Sequence, residues 1–261
     1  MRQRPFALGL MALACIACMG AAPAPQPYLA KGAAPDATRL LPPPPALKSI
    51  EDKADRAAVT TAGKLLEQPR GAMATSDAVA SPAAVLEDFS CAVGVRLTES
   101  NVPVLLELYS RVSRDARAVI DPAKDLFKRK RPFVGGKARI CVPRDAGLEA
   151  SGSYPSGHTT VSWAAALILA ELAPDRATEI MMRGRAYGES RVVCGVHYPS
   201  DLEAGRTGAS ALIATLHGDA VFRADLDRAR AELAAARAAG GPAPDAGRCK
   251  VEDEASAHRP W

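Results

Sequence analysis

The stretch TESNVPVLLELYSRVSRDARAVIDPAKDLFKRKRP, Thr98 to Pro132, decides how the chain folds. Apolar residues recur in it at i, i+3, i+4 and i+7, as Val104, Leu105, Leu108 and Val112 do, and that spacing lines one face of an α-helix. Pro132 has no amide hydrogen to donate, so it stops the run. Strand signals are scarce by comparison. Alternating Val, Ile and Thr are few, aromatic residues make up 5% of the chain, and alanine, the best helix former, is abundant. The fold class expected is all-α: a helical bundle with its functional site at helix N-termini and a long loop.

Outward from that stretch the same periodicity returns. SIEDKADRAAVTTAGKLLEQPR (Ser49 to Arg70) and SPAAVLEDFSCAVGV (Ser81 to Val95) read as helices, with a looser Ala-rich segment between them. Residues 133–154 carry Gly135, Gly136, Pro143, Gly147 and Gly152 and read as a long loop, a length that in a compact domain points to function. Helices resume at Ser156 to Leu172, about Asp175 to Ser190, and Ser200 to His217. FRADLDRARAELAAARAAGG then forms an amphipathic helix ended by glycines, and the polar remainder is expected to fray apart from a tie at Cys249. The predicted organisation is a signal peptide over 1–22 and a Pro/Ala-rich tether or strap over 23–50. An all-α domain follows over 51–222, with its core at about 85–220, then the amphipathic helix and polar tail over 223–261.

Composition bounds the function. A chain of 261 residues with 48% hydrophobic content can bury a core of enzyme size. The formal charge of +4 is mild and its cations are interleaved with acids, so binding to a nucleic-acid polymer is not indicated. The one dense run, Lys128 to Arg131, reads as a basic patch or a solvated helix end. Arg2 and Arg4 precede an apolar run from Phe6 to about Met19 and then small residues, the layout of a secretory signal peptide. A lipid anchor through Cys15 or Cys18 is the lesser alternative. No stretch is long and apolar enough for a membrane span, so a periplasmic or secreted protein is expected, with homo-oligomerisation left open. Removal of the signal leaves Cys91, Cys141, Cys194 and Cys249, and four cysteines in an exported chain point to disulfides with three complete connectivities. No C-x-x-C pair is present, which weakens a zinc reading.

Chemistry gathers in two short stretches. In GSYPSGHTT, Gly152 to Thr160, Ser156 is placed to cap a helix whose first amides, Gly157 and His158, form the positive end where anions bind. In SRVVCGVHYPSD, Ser190 to Asp201, Ser200 and Glu203 form a candidate capping box. There His197 lies four residues before Asp201, close enough for the carboxylate to hold one imidazole nitrogen and aim the other outward. Each stretch alone reads as an ordinary capped helix. Lys124 and Arg131, seven apart, are predicted to share one face of a helix ending at Pro132, and Arg191 adds a third cation. Three cations, a helix N-terminus and two histidines suit the holding of a tetrahedral oxyanion while one histidine attacks and the other protonates the leaving oxygen.

Lys124, six residues, Arg131-Pro132; then Pro155-Ser156-Gly157-His158; then Ser190-Arg191, five residues, His197, three residues, Asp201: this resembles the tripartite signature of the phosphatidic acid phosphatase type 2 superfamily, which includes the vanadium haloperoxidases. The wording GSYPSGHT and the N-terminal signal make it most similar to the bacterial class A non-specific acid phosphatases. The resemblance implies a helical bundle and a metal-independent, cofactor-free hydrolysis of small phosphate monoesters. It implies His197 as nucleophile, Asp201 as its orienting partner and His158 as acid and base. Lys124, Arg131, Ser156, Gly157 and Arg191 would bind the phosphate. A vanadate-dependent haloperoxidase and a non-catalytic phosphate-binding module are the alternatives. His217 and His258 fall outside the pattern. Cys194 lies between Arg191 and His197, and a bridge from it to Cys141 would pin the site, with the other pairings left open.

Overall fold

The computed structural model describes residues 25–261. The expected signal peptide, the cysteines of the lipid-anchor alternative and the first residues of the tether lie outside the described residues. No described helix is long and apolar enough to cross a membrane.

Twelve α-helices and no strand occur among the described residues, in keeping with the all-α expectation. They are α1 (Ala37–Leu40), α2 (Ile50–Gly63), α3 (Pro69–Ser76), α4 (Pro82–Asp88), α5 (Ser90–Val93), α6 (Pro103–Phe127), α7 (Ala146–Ala150), α8 (Gly157–Leu172), α9 (Ala177–Val193), α10 (Pro199–Leu216), α11 (Ala220–Ala238) and α12 (Ala246–Ala257). The sequence places α8 at the centre, because it is apolar nearly all round: Val161, Ala164, Ala165, Ile168 and Leu169 are buried. It packs against α9 on one side and α10 on the other, with α6 across it. Leu105, Leu108, Tyr109 and Val112 of α6 meet Leu212 and Leu216 of α10 and Phe222, Leu226 and Leu233 of α11 in one continuous core. Each such side chain contributes about 1.5–3 kcal/mol by leaving water. The α8–α10 crossing depends on Gly205, where a Cβ would stand 2.8 Å from the Ser156 carbonyl oxygen. That closeness sets the start of α8 beside the start of α10.

Three expectations are corrected. The segment after Arg70 is α3, begun by Pro69 at its first turn; it buries Gly71, Met73 and Ala74 against the α9 side of the core. Its alanines give too weak a hydrophobic period to show. The C-terminal tail forms α12, capped by Asp245, tied by the Cys91–Cys249 disulfide and packed on α9. Its buried residues include Glu252, which meets Arg183, so an ion pair adds to the small apolar contact that Val251 and Ala255 make with Met73 and Ala186. The long loop also contains the single turn α7.

Residues 26–42 lie as a strap across the bundle. The Tyr28 and Leu29 amides donate to the Asp115 carboxylate at 2.9 and 3.1 Å, and the Tyr28 hydroxyl donates to Asp225 at 2.7 Å. Arg111 stacks over the Tyr28 ring, 3.7 Å from its centroid.

Candidate active site

The helix ends meet at one point because α8 starts next to α10 and under the end of α6. Ser156, fully buried, caps α8: its hydroxyl oxygen accepts the Thr159 amide at 3.3 Å and the Thr159 hydroxyl at 2.9 Å. The Ser156 amide in turn donates to the Asp201 carbonyl at 2.9 Å, which staples the two helix starts together. Gly157 is the point of closest approach to α6. A Cβ there would meet Ile120 at 3.1 Å and the Lys124 side chain at 3.9 Å. Glycine therefore lets the positive end of α8 lie beside a lysine, an arrangement only an anion makes favourable.

All of the candidate residues come together, but Arg131 arrives by a route other than the expected one. The helix carrying Lys124 ends at Phe127, where Lys128 turns left-handed (φ 46°) and returns its amide to the Lys124 carbonyl. Arg131 thus sits on the following loop rather than on the same helical face. Within the basic run Arg129 and Arg131 turn inward while Lys128 and Lys130 face solvent, so neither a basic patch nor a solvated helix end describes it. Arg131 is held by the Leu148 and Ser151 carbonyls at 2.9 and 3.1 Å, the Ser151 hydroxyl and the Val196 carbonyl. Its Nη1 lies 3.0 Å from His197 Nε2. Lys124 Nζ donates to the Gly152 carbonyl at 2.8 Å, and burial together with Arg131 lowers its pKa to about 8.

The His197 contact fixes a tautomer. A guanidinium can only donate, so Nε2 must carry the lone pair and Nδ1 the hydrogen. That Nδ1–H points at Asp201 Oδ2, 3.3 Å away. Asp201 also accepts the Tyr198 amide at 2.9 Å, as the third residue of α10. The expected Ser200/Glu203 capping box is thereby corrected: Pro199 starts the helix and the N-cap moves two residues earlier, to Tyr198, so that the carboxylate reaching back belongs to Asp201. Ser200 donates its amide to Asp55 at 3.1 Å, and Glu203 pairs with Arg206.

Burial, then the surrounding cations, hold His197 and His158 well below the usual histidine range. For His158 the cations are Arg191 and Arg131, with His197 acting in the same direction. His158 Nε2 lies 3.1 Å from the Ala78 carbonyl oxygen, an acceptor only, so this nitrogen carries the hydrogen and Nδ1 is the one not engaged there. Arg191 is buried, its Nε and Nη1 meet no acceptor among the described residues, and burial lowers its pKa to about 10. Buried guanidinium donors without a protein acceptor are costly unless an anionic oxygen supplies one. Lys124, Ser151, Gly157 and His158 line a cavity of about 760 Å³.

Several residues escaped the sequence reading. Arg129, 9% exposed at the side chain, donates to Asp201 Oδ1 and Ser200 at 2.7 Å each and to Asp55 at 2.8 Å, while its guanidinium lies over the Tyr198 ring. Asp77 accepts the Ser190 hydroxyl at 2.5 Å beside Arg191, and Arg70 donates to the same hydroxyl. Only Arg129 left a signal, its place within the basic run; the partners of the others are distant in sequence. His217 caps the end of α10 and pairs with Glu171, and His258 follows α12; neither reaches the site. Cys141 and Cys194 form a disulfide at the loop's edge. Among the described residues no three His, Cys, Asp or Glu side chains are grouped to hold a metal ion.

Residues 112–223, which include every candidate residue, match the family model of the PAP2 superfamily. The chain is 45% identical to an acid phosphatase of Zymomonas mobilis subsp. mobilis, over 84% of this chain and 83% of that one. It is 38% identical to a non-specific acid phosphatase of Providencia stuartii, over 79% and 84% of the two chains. Its identity to a non-specific acid phosphatase of Salmonella typhimurium is 32%, over 80% and 84%. A solved transmembrane PAP2-type phosphatidylglycerolphosphate phosphatase from Bacillus subtilis overlaps at a TM-score of 0.45 and 19% identity, covering 64% of this chain and 85% of that one, too loosely to bear on the fold.

Proposed function

The chain belongs to the PAP2 superfamily, alongside its non-specific acid phosphatases, and from that premise we propose that it hydrolyses phosphate monoesters of broad leaving-group range through a phosphohistidine on His197. The observation that carries this reading is the tautomer of His197: a lone pair on Nε2, held by Asp201 behind it and set beside the Arg131 guanidinium. Arg131 keeps that lone pair unprotonated by donating to it, and the lone pair becomes available for attack when the guanidinium turns to a phosphate oxygen.

The roles follow from position. Arg131, Arg191 and Lys124, with the Gly157 amide at the start of α8, hold the phosphate oxygens and oppose the charge they gain in the transition state. Ser156, whose oxygen is taken by Thr159, has its hydroxyl hydrogen left to donate to a phosphate oxygen. His197 Nε2 attacks phosphorus in line, the P–N bond forms and the P–O bond to the leaving group breaks. His158 gives its proton to the departing oxygen. In the second step His158 takes a proton from water, the hydroxide displaces His197, and inorganic phosphate leaves. Fixed cations supply the neutralisation, so no step needs a metal ion. The Ala78 carbonyl supports the protonated form of His158 by accepting from Nε2, which leaves Nδ1 to exchange the proton.

Export to the periplasm or beyond the cell is part of the same reading. It is supported by the leader-like first residues and by two disulfides, which persist in oxidising compartments.

A chromogenic phosphate monoester assayed across pH with excess chelator, for wild type and His197→Ala, tests the proposal. Hydrolysis with an acid-side maximum that survives chelation and falls by at least about 10³-fold in the variant is expected, because removing a nucleophile leaves only binding and electrostatics. A wild-type protein without phosphatase activity, or one silenced by the chelator, would overturn it.

A further inference from the structure

The cavity at the site is far larger than one phosphate, and its outer wall is cationic. At about 760 Å³ it runs from Lys124, Gly157 and His158 along α6 past Asp121 to Arg117, Arg114, Ser113 and Ser110. These α6 residues follow at three- and four-residue steps, so they form one stripe facing the cavity. Most other arginines among the described residues pair with carboxylates, Arg111, Arg129, Arg183 and Arg206 among them. Arg114 and Arg117 make no ion pair or hydrogen bond with any described residue, although both are exposed and free to turn toward Asp121 or solvent. Two unpaired arginines one turn apart are mutually repulsive, and an anion between them relieves that repulsion.

We propose that Arg114 and Arg117 form a second anion subsite on the leaving-group side, which selects phosphate esters whose leaving group itself carries a phosphate. This rests on the phosphatase reading above. His158, the expected donor to the leaving oxygen, lines the same cavity as the two arginines, so a leaving group it protonates has room to extend toward them. Seven residues separate Lys124 from Arg117, about 10 Å along the helix axis. Arginine side chains reaching inward shorten that span to the separation of two phosphates on a sugar or a short diol. Asp121, between the two cationic ends, disfavours a single compact polyanion over an ester with its charges at both ends.

The test is a matched pair of substrates, a butanediol monophosphate and the corresponding bisphosphate, on the full-length mature enzyme. The bisphosphate, corrected for its two equivalent ends, is expected to have a kcat/KM about five- to ten-fold higher at low salt, expressed in KM, and the preference is expected to shrink as salt rises. In R114A/R117A the preference is expected to vanish while kcat on the monophosphate stays within about two-fold, since both side chains are exposed and unpaired. Equal selectivity in wild type and double variant would overturn the subsite even with full phosphatase activity. Should neither substrate turn over, the proposed function fails separately, and the subsite is then read by calorimetric binding of the bisphosphate. Affinity unchanged by the double substitution would overturn it, and a loss of similar size would uphold it.

Discussion

At the scale of single residues, His197 is defined by what flanks it. Arg131 faces its Nε2, Asp201 its Nδ1–H, and Arg129 stands behind Asp201. Burial pushes the Asp201 carboxyl upward, and Arg129 is the chief group opposing that push in favour of the charged form. Arg129 is thus a positioning residue. Arg129→Gln is expected to lower kcat about 10–100-fold, the usual cost of losing a partner that orients an active group. KM should change little and the acid limb of the pH profile should move upward, with partial recovery in Arg129→Lys; an unchanged pH profile would reduce the residue to a structural one. His158 gives a second expectation. Burial and the nearby Arg191 depress its pKa in the free enzyme, and a phosphate dianion seated on Arg191 and Arg131 offsets that repulsion and raises it. Binding must then take up protons between the two values, so affinity for inorganic phosphate strengthens as pH falls through that window. Calorimetry in buffers of differing ionisation enthalpy measures the uptake. Phosphate's own titration is common to wild type and His158→Gln, so equal uptake by both would disprove the linkage.

At the scale of elements, the site joins the starts of α8 and α10 to the last turns of α6 and α9 and the loop after α6. Residues 155–160 and 197–203 form helix N-termini for local reasons, Ser156 as a cap and Pro199 at the first turn, and the sequence shows both. Two other elements serve the site without carrying its chemistry. Helix α2 brings Asp55 to Arg129 and Ser200, and α12 is held by a buried cluster in which Arg183, 2% exposed, donates to Asp77 at 2.6 Å and to the Asp88 carbonyl and lies 3.3 Å from Glu252. Asp77 in turn accepts from Ser190, next to Arg191. Arg183→Ala leaves the buried Asp77 carboxylate without an ion pair, while Glu252 keeps Arg248, and a loss of about 3–5 kcal/mol in unfolding free energy is expected. Denaturant titration measures it; a loss under about 1 kcal/mol would mean that α12 and its disulfide do not depend on the cluster.

At the scale of the whole molecule, the all-α class and the candidate residues were legible for different reasons. Class followed from periodicity, because Val104, Leu105, Leu108 and Val112 have no other way to share a face. The candidates were legible because phosphate chemistry needs particular charged groups beside a helix N-terminus and a His/Asp pair, and those groups lie within 77 residues of one another, from Lys124 to Asp201. What stayed hidden has a common physical cause. Arg129, Asp55, Asp77, Ala78 and the α12 ion pairs act through partners distant in sequence, and buried polar pairing leaves no hydrophobic period to read. The end of α6 was hidden as well, since the left-handed turn at Lys128, rather than Pro132, closes the helix. By itself the sequence determined that this chain packs amphipathic helices and that its histidines and three of its cations suit a phosphate. Only the tertiary structure decided which nitrogen of His197 carries the lone pair, which arginine holds its carboxylate and which arginines are left without a carboxylate, because those depend on contacts between residues that the chain's folding alone brings within hydrogen-bond distance.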